Sequence, residues 1–390
     1  MTVTLENTIS ILEHLVSFES ISGRPTEEIV SYIQDCFSAY DITASLSIDQ
    51  DDQRANVFAT IGPEIDGGVL LNGHTDVVPV IGQNWSTDPF ILTRKDDRLY
   101  GRGSVDMKGF LACVLASVPY FKAVGLKKPI HIAFSYDEET GGFGMPVLLE
   151  SINRLPYKPH IVIIGEPTEM QIITGHKGSY EMRTEIVGHE THSSDPTKGV
   201  SAISIASKLI AKIDEIGVEK ANHPILGSPF DLPYGTFNVG IIEGGTARNA
   251  TAGWCNFDWQ YRQMPNEDGS ETIAKIEAYA AELIPAMKAI NPNCDIRIIT
   301  EVPAPGMDNK NAHAAAAFVS EITGINSQGV VSFGTDGGYF SAEGFSTVVF
   351  GPGSITRAHK PDEYITVQEL VQGLAFLEKI ADRLAIQETP

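Results

Sequence analysis

The sequence predicts an α/β protein in which a mixed sheet flanked by helices is interrupted by a smaller inserted domain. Short apolar strands alternate with helices over the first half of the chain, which is typical of such a sheet. From about residue 179 the order changes to strand, helix, two strands, helix and strand, before the first pattern returns. The chain has 390 residues, which exceeds the usual size of a single domain.

The elements of the first domain follow from two kinds of pattern. Apolar residues at helical spacing predict its helices, and short runs that are apolar on both faces predict strands buried in a largely parallel sheet. The predicted elements are helices over residues 6–19, 106–124, 310–323 and 366–385 and strands over residues 68–73, 129–135, 160–165 and 346–350.

The elements of the inserted domain follow the βαββαβ order of the ferredoxin-like split motif. Its third strand alternates polar and apolar residues, which is typical of an antiparallel strand with one exposed face. We therefore expect one domain from residues 1–178 and 303–390 and an inserted domain from residues 179–302. The predicted elements of the inserted domain are strands over residues 180–188, 235–242, 253–262 and 294–302 and helices over residues 200–216 and 270–289.

The composition argues against several classes of protein. There are 50 acidic and 28 basic residues, for a formal charge of -22, and a surface this negative would repel the phosphates of a nucleic acid. The same charge fits either an ordinary soluble surface or the attraction of cationic substrates.

The four cysteines form no CxxC pair, and Cys113 lies in an apolar run that indicates a buried, reduced thiol of the cytosol. The N-terminus lacks the basic region of a signal peptide and no run of about 18 apolar residues occurs, so we expect a cytoplasmic protein without a membrane span.

Candidate metal ligands stand directly after three of the predicted strands. They are His74 with Asp76, Glu138 with Glu139, and Glu166. Side chains at the carboxyl ends of strands in an α/β sheet open on one edge, so we expect these residues to lie together. Three adjacent acids at residues 137–139 are costly to bury without cations. Pro167 ends the strand at Glu166, so that this carboxylate projects from the strand end.

Two further candidates lie outside these strand ends. Asp106 stands at the start of a predicted helix, and His359 lies in a loop rich in glycine and proline over residues 351–363. Each signal also has an ordinary structural explanation. Asp106 would suit a helix N-cap, the acids at 137–139 a solvated loop, and His74 and His359 exposed positions in turns.

Together the candidates predict a pair of zinc ions. Imidazole and carboxylate ligands with an open position are typical of catalytic rather than structural zinc. Two metals ~3.5–4 Å apart can share a water and bring its pKa toward ~7. The expected ligands are His74 and Glu166 on one ion, Glu139 and His359 on the other, and Asp106 between the two.

Two carboxylates are left for other tasks. Glu138 would take a proton from the water and pass it to the leaving amine, because two adjacent carboxylates near a cation can differ in pKa. The HxD spacing lets the carboxylate of Asp76 reach the second imidazole nitrogen of His74, which would fix the tautomer of that ring.

The same segments resemble the motifs of the zinc amidohydrolase/peptidase family. The matching segments are residues 73–76, 101–109, 138–139 and 165–167, and the resemblance covers nearly the whole chain, including the inserted domain. It implies a zinc-peptidase-like sheet, two Zn²⁺ ions per subunit for which Co²⁺ can substitute, and hydrolysis of an N-acyl bond in a small N-acyl amino acid. It also implies that the inserted domain is a lid and dimerisation domain, through which the protein forms a homodimer.

Three further stretches resemble the acetylornithine deacetylase branch of that family: residues 176–178, 192–200 and 351–364. This resemblance implies removal of the acetyl group from N2-acetyl-L-ornithine, a step of arginine biosynthesis. Residues 334–340 differ from the branch, with an Asp and two Gly where many deacetylases carry a Glu-Ala type of sequence. The alternatives are a succinyl-diaminopimelate desuccinylase, a broader N-acyl-amino-acid amidohydrolase and a non-catalytic binding module. The presence of all five ligands and of Glu138 argues against the last.

The resemblance also implies roles for residues outside the metal site. His192 would donate a hydrogen bond to the oxyanion, from the neighbouring subunit, although spacing leaves His189 as a competing candidate. Arg262 would bind the α-carboxylate of the substrate through two hydrogen bonds, and an exposed arginine at a strand end is the ordinary explanation. The remaining expected substrate contacts are Asn249, Gly334 and Thr335, which turn chemistry also explains.

Overall fold

The computed structural model describes residues 4–49 and 53–386. Within these ranges the helices are α1 (Leu5–Ser17), α2 (Glu27–Ser38), α3 (Lys108–Ala123), α4 (Met145–Asn153), α5 (Ala202–Asn222), α6 (Gly269–Ile290), α7 (His313–Thr323), α8 (Gly337–Ala342) and α9 (Val367–Ala385). The strands are β1 (Ala44–Asp49), β2 (Arg54–Ile61), β3 (Val69–His74), β4 (Thr93–Lys95), β5 (Arg98–Tyr100), β6 (Ile130–Ser135), β7 (Ile161–Ile164), β8 (Ile172–His176), β9 (Ser179–Val187), β10 (Thr236–Gly244), β11 (Trp254–Arg262), β12 (Asp295–Ala304), β13 (Gln328–Val331), β14 (Ser346–Val349) and β15 (Tyr364–Thr366). None of these helices combines the length and the apolar character that crossing a membrane requires.

The chain folds into two compact units. The first comprises Met1–His176, Met307–Val331 and Thr335–Pro390, and the second comprises Lys177–Gly306 and Ser332–Gly334. The second unit therefore interrupts the first along the chain.

An eight-stranded mixed sheet organises the first unit. Its strand order is β1-β2-β6-β3-β7-β14-β8-β13. The four central strands β6, β3, β7 and β14 run parallel, whereas β2 joins β6 and β8 joins β14 in antiparallel fashion. Every residue of β3, β6 and β7 is buried, as expected for parallel strands covered on both faces. The prediction of a mixed sheet flanked by helices is confirmed, and the four strands predicted from apolar runs are its four adjacent central strands.

Helix α3 is the most buried helix of the first unit. Twelve of its sixteen residues are buried, and it packs against α1 and α9. Cys113 in this helix is fully buried, as predicted, and all four cysteines are free thiols. A Cβ at Gly165 would stand 2.1 Å from the ring of Phe110. Only glycine therefore allows the end of β7 to approach the start of α3 so closely.

A second sheet of three short strands, in the order β15-β5-β4, joins two distant parts of the first unit. β15 pairs antiparallel with β5. Next to this pair, the backbone N–H of Gly101 donates to the carbonyl of Glu363 at 3.0 Å. The pairing therefore holds the segment that precedes α3 against the segment that precedes β15.

The second unit contains a four-stranded antiparallel sheet and two long helices. The strand order is β10-β11-β9-β12, with α5 following β9 and α6 following β11 along the chain. This is the order of the split βαββαβ motif. Buried and partly exposed residues alternate along β11, as its sequence pattern indicated. The edge strand β10 is largely exposed, and its Ile241 and Ile242 are 57% and 52% exposed.

Candidate metal centre

The five expected ligands and Glu138 lie together at one edge of the eight-stranded sheet. His74 is the last residue of β3. Glu138 and Glu139 begin a short 3₁₀ turn, Glu138–Thr140, that follows β6, and Glu166 follows β7. Because β6, β3 and β7 are parallel neighbours, their carboxyl ends converge on the same place.

Asp106 lies between the two histidines. Its Oδ1 is 3.2 Å from Nε2 of His74, and its Oδ2 is 3.3 Å from Nε2 of His359. Helix α3 begins at Lys108 and has Met107 at its N-cap, without a side-chain capping bond. The carboxylate of Asp106 is therefore directed to the histidines and not to the helix, which excludes the N-cap explanation.

The remaining carboxylates divide between the two imidazoles. Oε1 of Glu166 is 3.4 Å from Nε2 of His74, and Oε2 of Glu139 is 2.8 Å from Nε2 of His359. Two sets of three groups have ligand atoms within 4.8 Å of one another: His74, Asp106 and Glu139, and His74, Glu138 and Glu166. Glu138 is thus as close to His74 as a ligand would be, and distance alone does not separate a ligand from a base at this position.

Asp76 holds the turn that carries the two glutamates. Its carboxylate accepts hydrogen bonds from the backbone N–H groups of Glu138 at 3.1 Å and Glu139 at 3.2 Å, and from the Ser22 hydroxyl at 2.6 Å. The nearest partner of Nδ1 of His74 is the carbonyl of Asp76 at 2.9 Å, whereas the Asp76 carboxylate is 3.6 Å away. Asp76 therefore orients His74 chiefly through its carbonyl, which differs from the carboxylate contact expected from the HxD spacing. Because a carbonyl only accepts, Nδ1 carries the proton and Nε2 is left to bind a cation.

Two segments of the site have left-handed backbone. Asp137, immediately before Glu138, has a φ of 55°, and His359 has a φ of 61°. Such values are uncommon for residues other than glycine and persist where surrounding contacts fix them. For Asp137 these contacts are the backbone N–H of Gly23, 2.8 Å from Oδ1, and an ion pair with Arg54.

The cluster concentrates negative charge in a largely buried place. Burial raises the pKa of Glu138 well above its usual value. Burial and the charge of Asp106 raise the pKa of Glu139 to about 7 and that of Glu166 to about 8. Hydrogen bonds to two carboxylates raise the pKa of His359 to about 10. Buried carboxylates ionise together only where cations compensate them, and this set of imidazole and carboxylate donors fits divalent ions such as Zn²⁺ and Co²⁺.

Residues near α8 support the site, and the sequence patterns did not assign them to it. Asp336, just before α8, is buried and accepts a hydrogen bond from the hydroxyl of Ser135 at the end of β6. The Tyr339 hydroxyl donates to the carbonyl of Gly141 at 2.6 Å and thereby braces the turn after β6. The one signal in the sequence was the difference of residues 334–340 from related deacetylases, which indicated no particular contact.

In the second unit, His192 and Asn249 lie on adjacent segments, where the N–H of Ser193 donates to the carbonyl of Asn249 at 3.0 Å. His192 is exposed, and its Nδ1 accepts the N–H of Ser194 at 3.2 Å. In the neutral ring Nε2 therefore carries the proton and can donate outward. The competing candidate His189 is engaged within the unit, because the side-chain amide of Asn291, the residue after α6, lies 2.9 Å from its Nδ1.

Arg262 ends β11 and lies beside a second cation of the same unit. Its Nε donates to the side chain of Gln260 at 2.7 Å. Lys177 is buried, and burial together with the charge of Arg262 lowers the pKa of its ammonium group. Gly334 lies next to this pair, since a Cβ there would stand 4.0 Å from Nη1 of Arg262. The second unit thus brings together two of the expected substrate contacts and adds Lys177, which lies in the stretch 176–178 that resembles the deacetylases but was assigned no role from the sequence.

Thr335 belongs to the first unit and is buried. Its hydroxyl accepts the N–H of Gly337 at 3.0 Å and lies 3.1 Å from Nε2 of His176. These contacts favour the turn explanation for Thr335 over a substrate contact.

The fold and the cluster at its sheet edge are those of a metal-dependent hydrolase. The chain belongs to peptidase family M20/M25/M40, and the family's sequence model matches residues 70–383. This membership confirms the family resemblance and the expectation of a metal-dependent amidohydrolase.

The chain is also similar to acetylornithine deacetylases. One from Pectobacterium carotovorum is 35% identical over 318 residues, which cover 80% of this chain and 79% of that protein. Another from Myxococcus xanthus is 32% identical over 388 residues, which cover 97% of this chain and 98% of that protein. These similarities lie in the branch of the family that the sequence motifs indicated.

Solved structures of the family share the fold. An M20 metallo-carboxypeptidase of Sulfolobus solfataricus matches with a TM-score of 0.74 at 19% identity, over 97% of this chain and 99% of that one. A dinuclear metal-binding M20 peptidase of Bacillus subtilis matches with a TM-score of 0.64 at 13% identity, over 98% of each chain.

Replacing Asp76 by Asn should weaken the binding of divalent cations by about 10- to 100-fold, which is typical for partners that orient metal ligands. The amide removes the charge and one of the two oxygens that hold the backbone of Glu138 and Glu139. Calorimetric titration of the metal-free protein with Zn²⁺ measures the change. Asp308→Asn is the matched control, because Asp308 also accepts a backbone N–H, that of Lys310 at 3.0 Å. Parent-like affinity in Asp76→Asn would contradict this positioning role.

Proposed function

We propose that this protein removes the acetyl group from N2-acetyl-L-ornithine, giving L-ornithine and acetate, as a step of arginine biosynthesis in the cytoplasm. The observation that carries the proposal is the position of Asp106 between His74 and His359, with a further carboxylate beside each imidazole. Similarity to acetylornithine deacetylases at between 31% and 35% identity supports the choice of substrate.

The site is proposed to hold two Zn²⁺ ions per subunit, with Co²⁺ able to substitute. His74 and Glu166 would hold one ion, Glu139 and His359 the other, and Asp106 would contact both. Bound there, the pair would polarise the acyl carbonyl and lower the pKa of a water toward ~7.

Glu138 is proposed as the general base. Its backbone N–H is fixed by Asp76 at 3.1 Å, and a carboxylate oxygen lies within 4.8 Å of ligand atoms of His74 and Glu166. From this position Glu138 would take a proton from the attacking water. It would then deliver that proton to the amine nitrogen, which must be protonated to leave as the C–N bond breaks.

The second unit is proposed as a lid that supplies substrate contacts. Arg262, beside Lys177, suits the α-carboxylate of the substrate, which a guanidinium can bind through two parallel hydrogen bonds. Asn249 and Gly334 are the further proposed contacts. His192, whose Nδ1 accepts a backbone N–H so that Nε2 is left as the donor, suits donation of a hydrogen bond to the oxyanion of the tetrahedral intermediate.

A homodimer formed through the second unit is also proposed. An exposed edge strand with apolar side chains is a ready template for pairing with another chain. Strand β10 has these properties, because Ile241 and Ile242 are 57% and 52% exposed at the edge of its sheet. In such a dimer His192 would act on the site of the neighbouring subunit.

Removal of a succinyl group is the second candidate function. The neighbouring cations of Lys177 and Arg262 would suit a substrate that carries an additional carboxylate, such as succinyl-diaminopimelate. The departure of residues 334–340 from many deacetylases is compatible with this substrate or with a broader N-acyl-amino-acid amidohydrolase.

A panel of N-acetyl, N-succinyl and N-formyl amino acids tests the proposed substrate. With Zn²⁺ supplied, N2-acetyl-L-ornithine should have the highest kcat/KM, and succinyl-diaminopimelate should be hydrolysed at least about tenfold less efficiently because the pocket must exclude the longer acyl group. Release of the free amine measures the rates. Faster hydrolysis of the succinyl compound would replace the proposal by the second candidate.

Replacing Glu138 by Gln should lower kcat by about 10²- to 10⁴-fold, because the amide cannot accept and return the proton. The zinc content of the purified variant should stay near that of the parent, since Glu138 is proposed as a base and not as a ligand. Glu150→Gln is the control, a glutamate of α4 that pairs with Arg154 on the surface. Loss of zinc together with activity would reassign Glu138 as a ligand.

If His192 acts across the dimer, two inactive variants should complement each other. A dimer of one Glu138→Gln chain and one His192→Ala chain would hold one complete site, so random assortment should restore about one quarter of the parent's activity. Co-expression of the two chains, with each variant alone as the control, measures this through acetate release. Activity no higher than that of the separate variants would show that His192 does not act on the partner's site.

A further inference from the structure

Arg102 lies in a glycine-flanked motif before α3, and the proposed function gives it no task. Its side chain is 1% exposed, and Nη1 donates to Oε2 of Glu363 at 2.6 Å. Nη2 donates to Oε1 of Gln83 at 2.5 Å, and the ring of Trp85 covers the guanidinium with its centroid 5.0 Å from Cζ. One buried guanidinium thus joins two segments of the first unit that are distant along the chain.

The first branch of this network reaches Asp106. The second oxygen of Glu363, Oε1, accepts the backbone N–H groups of Val105 at 3.0 Å and Asp106 at 3.2 Å. Arg102 holds the same carboxylate from its other oxygen, so the carboxylate is fixed from both sides. The backbone of the ligand that lies between the two histidines is therefore anchored to Arg102 through Glu363.

The second branch reaches His359. Nε2 of Gln83 donates to the carbonyl of His359 at 3.0 Å, and Nη1 of Arg102 lies 3.4 Å from the carbonyl of Lys360. The His359 side chain is 53% exposed, whereas those of the other four proposed ligands are at most 6% exposed. Core packing therefore does not fix His359, and its left-handed backbone depends on these hydrogen bonds.

We infer that Arg102 is a positioning residue for one of the two cations, the one shared by Asp106, Glu139 and His359. This inference rests on the proposed two-cation site. The two branches of the network end on two ligands of that cation, while His74, the histidine of the other cation, is held by the carbonyl of Asp76. Asp106 contacts both cations, but only one of them has both its bridging ligand and its histidine anchored to Arg102. Loss of the guanidinium N–H donors should therefore lower the affinity of the cation site that contains His359 and leave that of the site with His74 and Glu166 nearly unchanged.

Arg102→Lys tests this, because lysine keeps the buried positive charge but cannot hold Glu363 and Gln83 in the same geometry. Metal-free protein is titrated with Co²⁺, followed by calorimetry and by visible absorption. In the parent we expect two binding events. His359→Ala and Glu166→Ala identify the two events, because each should abolish one of them. In Arg102→Lys the Co²⁺ affinity of the event that needs His359 should fall by about 10- to 100-fold, whereas the affinity of the event that needs Glu166 should change by less than about threefold.

Arg357→Lys is the matched control, since Arg357 lies in the same loop as His359 and forms a part-buried ion pair with Glu369 of α9, and it should keep both affinities. Gln83→Met is the second variant; it removes only the branch to His359 and should weaken the same event even where Arg102→Lys does not fold. The inference about Arg102 would be overturned, and the proposed function left standing, if Arg102→Lys weakened both events equally. The same holds if folded Arg102→Lys and Gln83→Met both kept the parent's affinities. A parent protein that binds no pair of cations would overturn the proposed function as well.

Discussion

The constraint on which the rest of the structure depends is the crowding of like charges at the end of a buried sheet. Three glutamates and an aspartate lie around two imidazoles, and their proximity and burial raise the pKa of Glu139 to about 7 and that of Glu166 to about 8. A chain holds such groups together only if its own folding provides the free energy or if cations balance the charge. Folding of the first unit provides this free energy, because three parallel strands, β3, β6 and β7, are fully buried and helix α3 packs closely against the end of β7. Cations bound at this edge would stabilise the folded chain further, because they bind the assembled cluster and not the unfolded one.

The proposed ligands differ in what holds them, and the difference follows from where they lie. His74 ends a central strand, so the sheet itself fixes its backbone. Glu138 and Glu139 lie beyond a strand end, and Asp76 holds their backbone from one side while Tyr339 holds the turn from the other. His359 has the most exposed side chain of the five, and its segment is held by a chain of polar contacts. The dependence on specific hydrogen bonds thus increases with exposure, and the polar network is most developed where packing contributes least.

This gradient also explains how much of the site could be predicted from the sequence. His74 and Glu166 follow runs of apolar residues, and such runs are local signals that identify a buried strand and its end. The supporting contacts have no such signal, because they join segments far apart in the chain. Tyr339 and its partner are 198 residues apart, and Arg102 and its partner are 261 residues apart. The HxD spacing correctly placed an acceptor beside the His74 imidazole, but whether the carbonyl or the carboxylate makes the contact depends on the geometry of the turn, which residue spacing does not determine.

The acidic residues of the site show why residue type alone does not assign a role. Asp76 accepts two backbone N–H groups and a hydroxyl, and although burial disfavours its charge, the nearby His74 and these donors lower its pKa. Glu363 is engaged in the same way by Arg102 and two backbone N–H groups. The oxygens of both carboxylates are occupied by donors of the protein, although burial raises the pKa of Glu363, so each serves as a structural anchor. Glu139 and Glu166 instead face imidazoles and one another's charge, and an imidazole that binds a metal through Nε2 ceases to be a donor to them. A carboxylate in this chain is therefore available to a cation to the extent that backbone N–H groups, hydroxyls and guanidinium groups leave its oxygens unoccupied, and the tertiary contacts of each side chain determine this.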